Sequence, residues 1–283
     1  MSLALNSQKR KILSQLNLRA KFNNRTVSKN VNISYLEAFK ESIGFKEVLA
    51  NNIKYDKHHN SKYPTINAIN HIINALILGN SRFNGMDDLR KDEAYSSIMG
   101  ESAPSEKVYR DLLLDFPKET AGQLRSGNTA LLALQAHYEG PREVMANFDD
   151  TVCTVFGNQD GSAVGYNPRY KGRPSFKEKI GIIADTNELL NVTLEDGRSN
   201  TNNEFLEFYE SCVNALPKNW YIKRVRADKG LFDQDNFNKW ENDFIEYVVK
   251  AKMTSNVRKI IDYVNQHPEE YLWIKVDEIF SVS

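Results

Sequence analysis

Two stretches of this chain carry residues whose type and spacing could do chemistry: Asn147-Phe148-Asp149-Asp150-Thr151-Val152 and Val225-Arg226-Ala227-Asp228-Lys229-Gly230. Each reads as a β-strand that delivers an aspartate toward its carboxyl end. Carboxylates are hard oxygen donors, and two of them on neighbouring strands could hold Mg²⁺ (or Mn²⁺) together with substrate phosphates. A pair of such ions about 3.5–4 Å apart can activate a water or a 3′-hydroxyl and stabilise the leaving oxygen of a phosphodiester. Asp149 and Asp150 cannot serve one site, because successive strand residues face opposite ways. Asp150 shares a face with Phe148 and Val152, and Asp149 shares one with Asn147 and Thr151. The polar face is the better catalytic one, which selects Asp149. Taken alone, the Asp-Asp pair reads better as surface acids on an edge strand. Asp228 changes that balance, since it ends a β-patterned run before Lys229-Gly230, where glycine permits a sharp turn. The carboxyl end of a parallel strand is also where open α/β sheets place ligands.

The elements that must position these acids follow from periodicity. Ile66, Ile69, Ile72, Ile73, Leu76 and Ile77 lie on one helical face after Pro64-Thr65, and Ser34 to Leu49 repeats the idea with Tyr35, Leu36, Phe39, Ile43 and Val48. Pro104-Ser105 opens a further segment with Val108, Leu112 and Phe116, and Gly127-Asn128 precedes Leu131, Leu132 and Leu134. Near residue 143 the period changes from helical to two. The first strand holds Asp149. A hairpin at 179–185 and 189–194 follows, then a helix with Phe205, Tyr209, Cys212 and Leu216, a strand at 221–227, a helix around 237–244 and a strand at 246–251. The expected class is α/β: a helical region over residues 1–140, then a mixed sheet of order βββαβαβ over residues 141–283. That order is the ribonuclease-H-like arrangement, three antiparallel strands and then two parallel ones reached through crossover helices. In it the first and fourth strands are neighbours, so Asp149 and Asp228 would meet.

Cations supply the second kind of chemistry. Arg169, Lys171 and Arg173 alternate with tyrosines and turn residues between the first two strands. That pattern suits phosphate contacts plus stacking on a DNA end, or an exposed loop with solubilising charge. Residues 1–30 contain Lys9, Arg10, Lys11, Arg19, Lys21, Arg25 and Lys29 and no acid, which reads equally as a solvated basic tail or as direct DNA contact. Arg224 and Arg226 share a face with Asp228 and could offset carboxylate repulsion. His58-His59 has no partner spacing and reads as loop, and Trp220, Trp240 and Trp273 read as packing.

The set Asp149-Asp150-Thr151-Val152, Gly157, Gly161, Val164-Gly165-Tyr166-Asn167-Pro168, Gly172-Arg173-Pro174-Ser175 and Arg226-Ala227-Asp228-Lys229-Gly230 resembles, in order and spacing, the DDE transposases of insertion sequences. The closest branch is the one numbered thirteen-eighty. The similarity extends to the helical front, at Gly85-Met86-Asp87-Asp88-Leu89-Arg90 and Ala103-Pro104-Ser105. Asp150 stands where that pattern commonly has serine. The resemblance implies that Asp149 and Asp228 are the first two catalytic acids and metal ligands. It further implies that the partners are terminal inverted repeats and target DNA, that Mg²⁺ or Mn²⁺ is the cofactor, and that a homo-oligomer forms on DNA. It places the third acid, a glutamate, beyond a β-rich insertion and past Ser283, so the polypeptide alone is expected to be inactive or nearly so. Glu269, Glu270, Asp277 and Glu278 read as a solvated turn and are not assigned that role.

The bulk numbers agree with these expectations. The 283 residues suffice for one large domain or two modest ones, and 41% hydrophobic with 26% charged residues is a globular composition. No apolar run approaches the ~20 residues of a membrane span. Cys153 and Cys212 are too few for a disulfide framework, so a cytoplasmic, reducing setting is expected. The formal charge of +0 hides the basic front. Two further readings remain: a non-catalytic DNA-binding protein that recognises terminal repeats, and a metal-dependent nuclease unrelated to transposition.

Overall fold

The structure is a computed structural model that describes residues 28–57 and 61–270, with the backbone of 274–275 and 281–282. The chain divides into two compact units, Met1–Arg142 with Pro217–Asn219, and Glu143–Leu216 with Trp220–Ser283.

The first unit is helical, with α1 (Ile33–Ser42), α2 (Phe45–Asn52), α3 (Thr65–Ile77), α4 (Phe83–Lys91), α5 (Glu93–Met99), α6 (Glu106–Asp115) and α7 (Thr120–Glu139). The helix expected from Ser34 to Leu49 is two helices, because Gly44 adopts φ +65° between them and breaks the ladder. Gly127 lies inside α7 rather than ahead of it. A Cβ there would stand 3.8 Å from Leu49 Cδ2, so α7 passes close against α2.

The central helix α3 departs most from expectation. Leu76 and Ile77 are exposed, whereas Asn70, His71 and Asn74 are wholly buried. Its apolar positions are shared between two cores, Ala68 and Ile69 with Phe45, Leu49 and Leu112, and Ala75 with Ile33, Met86, Tyr95 and Tyr109. Between them runs a polar network. Lys40 Nζ donates to Asn70 Oδ1 (2.7 Å), to Asn74 Oδ1 and to Glu37 Oε1 (3.0 Å). Asn70 Nδ2 and Asn74 Nδ2 donate back to the two Glu37 oxygens at 3.0 and 2.9 Å. Burial alone would raise the Glu37 carboxyl, but the hydrogen bonds from Asn74 and Lys40 outweigh it and hold that group below its ordinary range. His71 Nδ1 lies 2.8 Å from the Tyr95 hydroxyl. A buried polar group is tolerated where its partners are present, which is why these residues can occupy the middle of the unit.

The second unit is built on a sheet. Its elements are β1 (Arg142–Thr154), β2 (Ala163–Val164), β3 (Pro174–Ile183), β4 (Leu189–Asp196), α8 (Phe205–Ala215), β5 (Trp220–Ala227), a 3₁₀ turn (Lys229–Leu231), α9 (Gln234–Asn242), β6 (Glu246–Val249) and α10 (Ser255–Gln266). A 3₁₀ turn (Pro268–Glu270) and two short paired strands, β7 (Ile274–Lys275) and β8 (Ser281–Val282), follow. The order is β2-β3-β1-β5-β6, with β4 also paired to β3. β3 is antiparallel to β1 and to β4, and β5 is parallel to β6. This is the ribonuclease-H-like arrangement, with β2 added at the start of β3 through Ala163–Ser175 and Val164–Pro174 pairing.

One face of the sheet is closed by α8. Val144, Ala146, Phe148 and Ile183 are buried, and so are Phe205, Phe208, Tyr209 and Cys212 on the helix. Phe148 meets Phe205 and Tyr209 edge-on at 5.4 and 5.7 Å, in the geometry aromatic quadrupoles favour. Trp240 of α9 is fully buried against Phe205 and Tyr209. Gly181 is the point of closest approach, where a Cβ would stand 2.7 Å from Cys212 Sγ and 3.0 Å from Phe148 Cε1. Among the described residues no helix is long and apolar enough to cross a membrane.

Replacing Gly181 with alanine should therefore force α8 and Phe148 apart. The expected loss is about 1–3 kcal/mol of stability, the usual cost of overpacking, read as a lower urea or thermal midpoint. An unchanged midpoint would show that the helix does not seal on the sheet at Gly181.

Candidate active site

The pleat of β1 separates its two acids. Asp150 points to the face that α8 covers, where Lys177 Nζ lies 2.9 Å from its Oδ2. Lys177 also donates to Thr201 Oγ1 at 3.1 Å, and the next lysine on that face, Lys179, pairs with Glu195 at 2.5 Å and donates to the Asn203 carbonyl. Asp150 is thus a structural acid beneath the sheet. Asp149 faces the other way, opposite Ile180 in register; the residue is exposed but its carboxyl is partly covered, with Oδ1 accepting from the Asp150 N–H at 2.8 Å.

Asp228 follows the last residue of β5, the strand beside β1. Its Oδ1 caps the short turn by accepting from Gly230 N–H at 2.6 Å. Gly230 has no room for a side chain, since a Cβ would stand 2.7 Å from Thr201. Thr201 therefore touches both the lysine that holds Asp150 and the turn that holds Asp228.

The two strands bring Asp149 and Asp228 within electrostatic reach of each other. The Asp149 carboxyl is held above the usual aspartate range, first by burial and then by the negative charges of Asp228 and Asp150, against the opposing Asp150 N–H bond. Among the described residues neither carboxylate has an ion-pair partner, and Oδ2 of each accepts no hydrogen bond. Two repelling carboxylates without a cation are a donor set that a divalent metal fits: hard oxygens with free lone pairs and unbalanced charge. Among the described residues no group of three or more acids, histidines or cysteines stands close enough together to hold a metal.

The remaining sequence-selected residues fall elsewhere. Arg169, Lys171 and Arg173 are exposed on the segment between β1 and β3, past the end of β1 at Thr154 and so roughly 16 Å or more along the strand from Asp149. Arg224 does not serve the carboxylates, because its Nε donates to Glu246 Oε2 at 2.9 Å. Arg226 is exposed. Glu269 and Glu270 lie in an exposed turn, where Glu270 accepts from the Tyr263 hydroxyl at 3.0 Å. Lys9, Arg10 and Lys11, with Arg19, Lys21, Arg25, His58, His59, Trp273, Asp277 and Glu278, lie outside the described residues. Sequence reasoning missed Thr201 and Phe156, the latter lying under the Arg173 guanidinium at 5.0 Å. Its only sequence signal was a phenylalanine set between a strand end and a glycine.

The sheet order, with Asp149 inside β1 five residues before its end and Asp228 just past β5, is that of a ribonuclease-H-like protein. The family model described as Transposase DDE domain group 1 matches residues 10–279, and the chain belongs to that family of DDE transposases. Among solved structures the chain is similar to the piggyBac transposase synaptic complex with hairpin DNA, at 11% identity and TM-score 0.36, covering 89% of this chain and 48% of that one. It is similar to the Drosophila P element transposase strand transfer complex at 11% identity and TM-score 0.32, covering 82% and 52%. It is also similar to the Mos1 mariner paired-end complex with Mn at 10% identity and TM-score 0.25, covering 91% and 89%. The chain spans about half the length of the first two, and at these TM-scores the likeness is loose, so membership rests on the family model. A search of curated proteins found no match.

The raised Asp149 carboxyl fixes the sign of a pH effect. A group whose folded value lies above its unfolded value favours the protonated fold, so stability falls as pH rises above the ordinary value near 3.8. Asp149→Asn should raise the thermal midpoint at neutral pH without metal, and that gain should vanish in acid. Mg²⁺ or Mn²⁺ should raise the wild-type midpoint and leave Asp149→Asn/Asp228→Asn unmoved, since only the folded pair binds the ion. Equal metal response in the double variant would place the ion elsewhere.

Proposed function

We propose that the chain is the transposase of a bacterial insertion sequence, of the branch numbered thirteen-eighty. Its second unit would carry metal-dependent cleavage of DNA at element ends and transfer of the freed strand. The observation that supports this most is the adjacency of Asp149 and Asp228 across β1 and β5 in a DDE family chain. In this reading Asp149 and Asp228 would hold Mg²⁺ or Mn²⁺. When bound, the ions would supply charge stabilisation for attacking and leaving oxygens. Asp150 does not take part, since Lys177 neutralises it on the far face. Its role is to pin β1 so that Asp149 stands outward. Arg169, Lys171 and Arg173 neutralise phosphates along the bound strand. The region over residues 1–140, with Lys9, Arg10 and Lys11, recognises terminal inverted repeats, and a homo-oligomer on DNA brings two ends together.

A second reading is favoured by one observation: the described residues bring two carboxylates together and no third. A chain with that set would bind terminal repeats without cutting them, in competition with a complete enzyme.

One pair of assays separates the two. Fe²⁺ in place of Mg²⁺, with hydrogen peroxide as oxidant and ascorbate to re-reduce the iron, should cut the polypeptide backbone by local hydroxyl radicals near Asp149 and Asp228, and both aspartate-to-asparagine variants should abolish those cuts. DNA bearing the element ends is then incubated with Mg²⁺ or Mn²⁺. Metal-dependent strand breaks reduced more than about a hundredfold by Asp149→Asn, with DNA binding retained, support the enzymatic reading; several kcal/mol of charge stabilisation at 1.36 kcal/mol per tenfold sets that scale. End-specific, salt-sensitive binding without strand breaks supports the second. Absence of localised iron cuts sinks the metal assignment itself.

A further inference from the structure

The segment between β1 and β3 presents three exposed aromatic rings among its cations. Phe156, Tyr166 and Tyr170 keep 66%, 79% and 47% of their surface open. A folded protein ordinarily covers such rings or uses them, and here Phe156 and Tyr170 are held by specific contacts. The Val155 N–H donates to the Pro174 carbonyl at 3.1 Å and continues the β1–β3 pairing past Thr154. The Arg173 N–H donates to the Tyr170 carbonyl at 3.2 Å, closing a turn in which Gly172 takes φ +77°. That turn sets Tyr170 and Arg173 around Phe156. The Arg173 guanidinium stands over its ring at 5.0 Å, and the Tyr170 ring meets it edge-on at 5.3 Å.

The base of the segment is rigid. Asn167 is buried, its Nδ2 donating to Thr154 Oγ1 at 2.7 Å and its Oδ1 accepting from Tyr170 N–H at 2.9 Å. Gly165 presses directly on the backbone after β4, where a Cβ would overlap the Gly197 carbonyl. The Phe156 and Tyr170 rings are therefore positioned before any ligand arrives, and little ordering entropy is lost on binding.

We propose that Phe156, Tyr170 and Arg173 form a platform that takes an unpaired base of a DNA strand, with Tyr166 as a neighbouring ring and Arg169 and Lys171 on the adjoining phosphates. This rests on the reading of the chain as a DNA-cleaving transposase and adds what the segment recognises. Charge chooses the occupant: residues 155–173 carry three cations and one acid, Asp160, so an anionic strand is attracted and an acid-matched basic partner is not. Ring geometry chooses unpaired bases over duplex. In a stacked duplex the base faces are covered and only groove edges and phosphates can be touched, whereas single strands offer their faces to aromatic and guanidinium planes. Phe156 lies seven residues beyond Asp149, at most about 23 Å along an extended strand. At 3.4 Å per nucleotide the stacked base would lie at most about seven nucleotides from a phosphate held through metal at Asp149 and Asp228.

The test uses the full chain without metal and a short single-stranded oligonucleotide carrying 2-aminopurine, scanned position by position. Stacking should quench the fluorophore at one or two positions. Phe156→Ala should weaken single-strand affinity on the order of tenfold to a hundredfold, and Phe156→Trp should restore it. Affinity for intact duplex should change little in both, with circular dichroism spectra unchanged. Asp149→Asn should leave quenching intact, which keeps this inference separate from the catalytic one. Loss of single-strand affinity in Phe156→Ala upholds the platform even in a chain that cuts no DNA. Unchanged affinity and quenching in Phe156→Ala, or equal loss on duplex, overturns it while the metal assignment stands.

Discussion

A pleated strand must send consecutive side chains to opposite faces, and the placement of everything else in the second unit depends on how β1 obeys that constraint. Phe148 and Asp150 go inward, to the aromatic core and to Lys177, and Asp149 goes outward. A slip of one residue would expose Phe148, strand the buried lysine and turn Asp149 under the sheet. Removing one partner of a buried ion pair costs about 3–5 kcal/mol, so the register is held from below. The outward acid needs no stabilising contacts of its own beyond the Asp150 N–H bond. Its position is imposed by what its neighbours bury.

That division of labour explains how a repelling pair of carboxylates can persist. The charge of Asp228 helps to raise the Asp149 carboxyl, yet each acid stands where the backbone delivers it: one by the β1 register, the other by the tight turn through Gly230 against Thr201. Strain at such a pair is tolerated when the surrounding structure over-determines the geometry. In a chain of the DDE transposase family, an unneutralised pair on neighbouring strands is a feature that protein stability alone does not explain.

Much of this was legible in the sequence because the sheet is buried unevenly. Alternation around Phe148 named both the strand and the face of Asp149, and the sheet order followed from the sequence of periodicities. Residues whose roles depend on distant contacts were not legible. Nothing local marks Thr201 as the point joining the Lys177 ion pair to the Asp228 turn, and Arg224 looked available until β6 brought Glu246 beside it. The helical unit failed in a different way. Isoleucines at helical spacing indicated one apolar face, but α3 lies between two cores, and its deepest positions are polar because Lys40 and Glu37 of another helix satisfy them. Periodicity reports amphipathicity, and a helix surrounded on several sides has little of it. Gly44 and Gly127 have the same composition signal and opposite uses, one a break and one a close packing point.

The Glu37–Lys40–Asn70–Asn74 network has a consequence for how such chains can diverge. Each of the four side chains bonds to at least two others, so a single apolar replacement takes a buried hydrogen bond from at least two of the remaining three. Relatives should therefore keep the quartet whole or lose it whole, and intermediates with half of it should be rare. The helical front would then drift in steps of several residues at once, while the exposed loops of the sheet unit change one residue at a time.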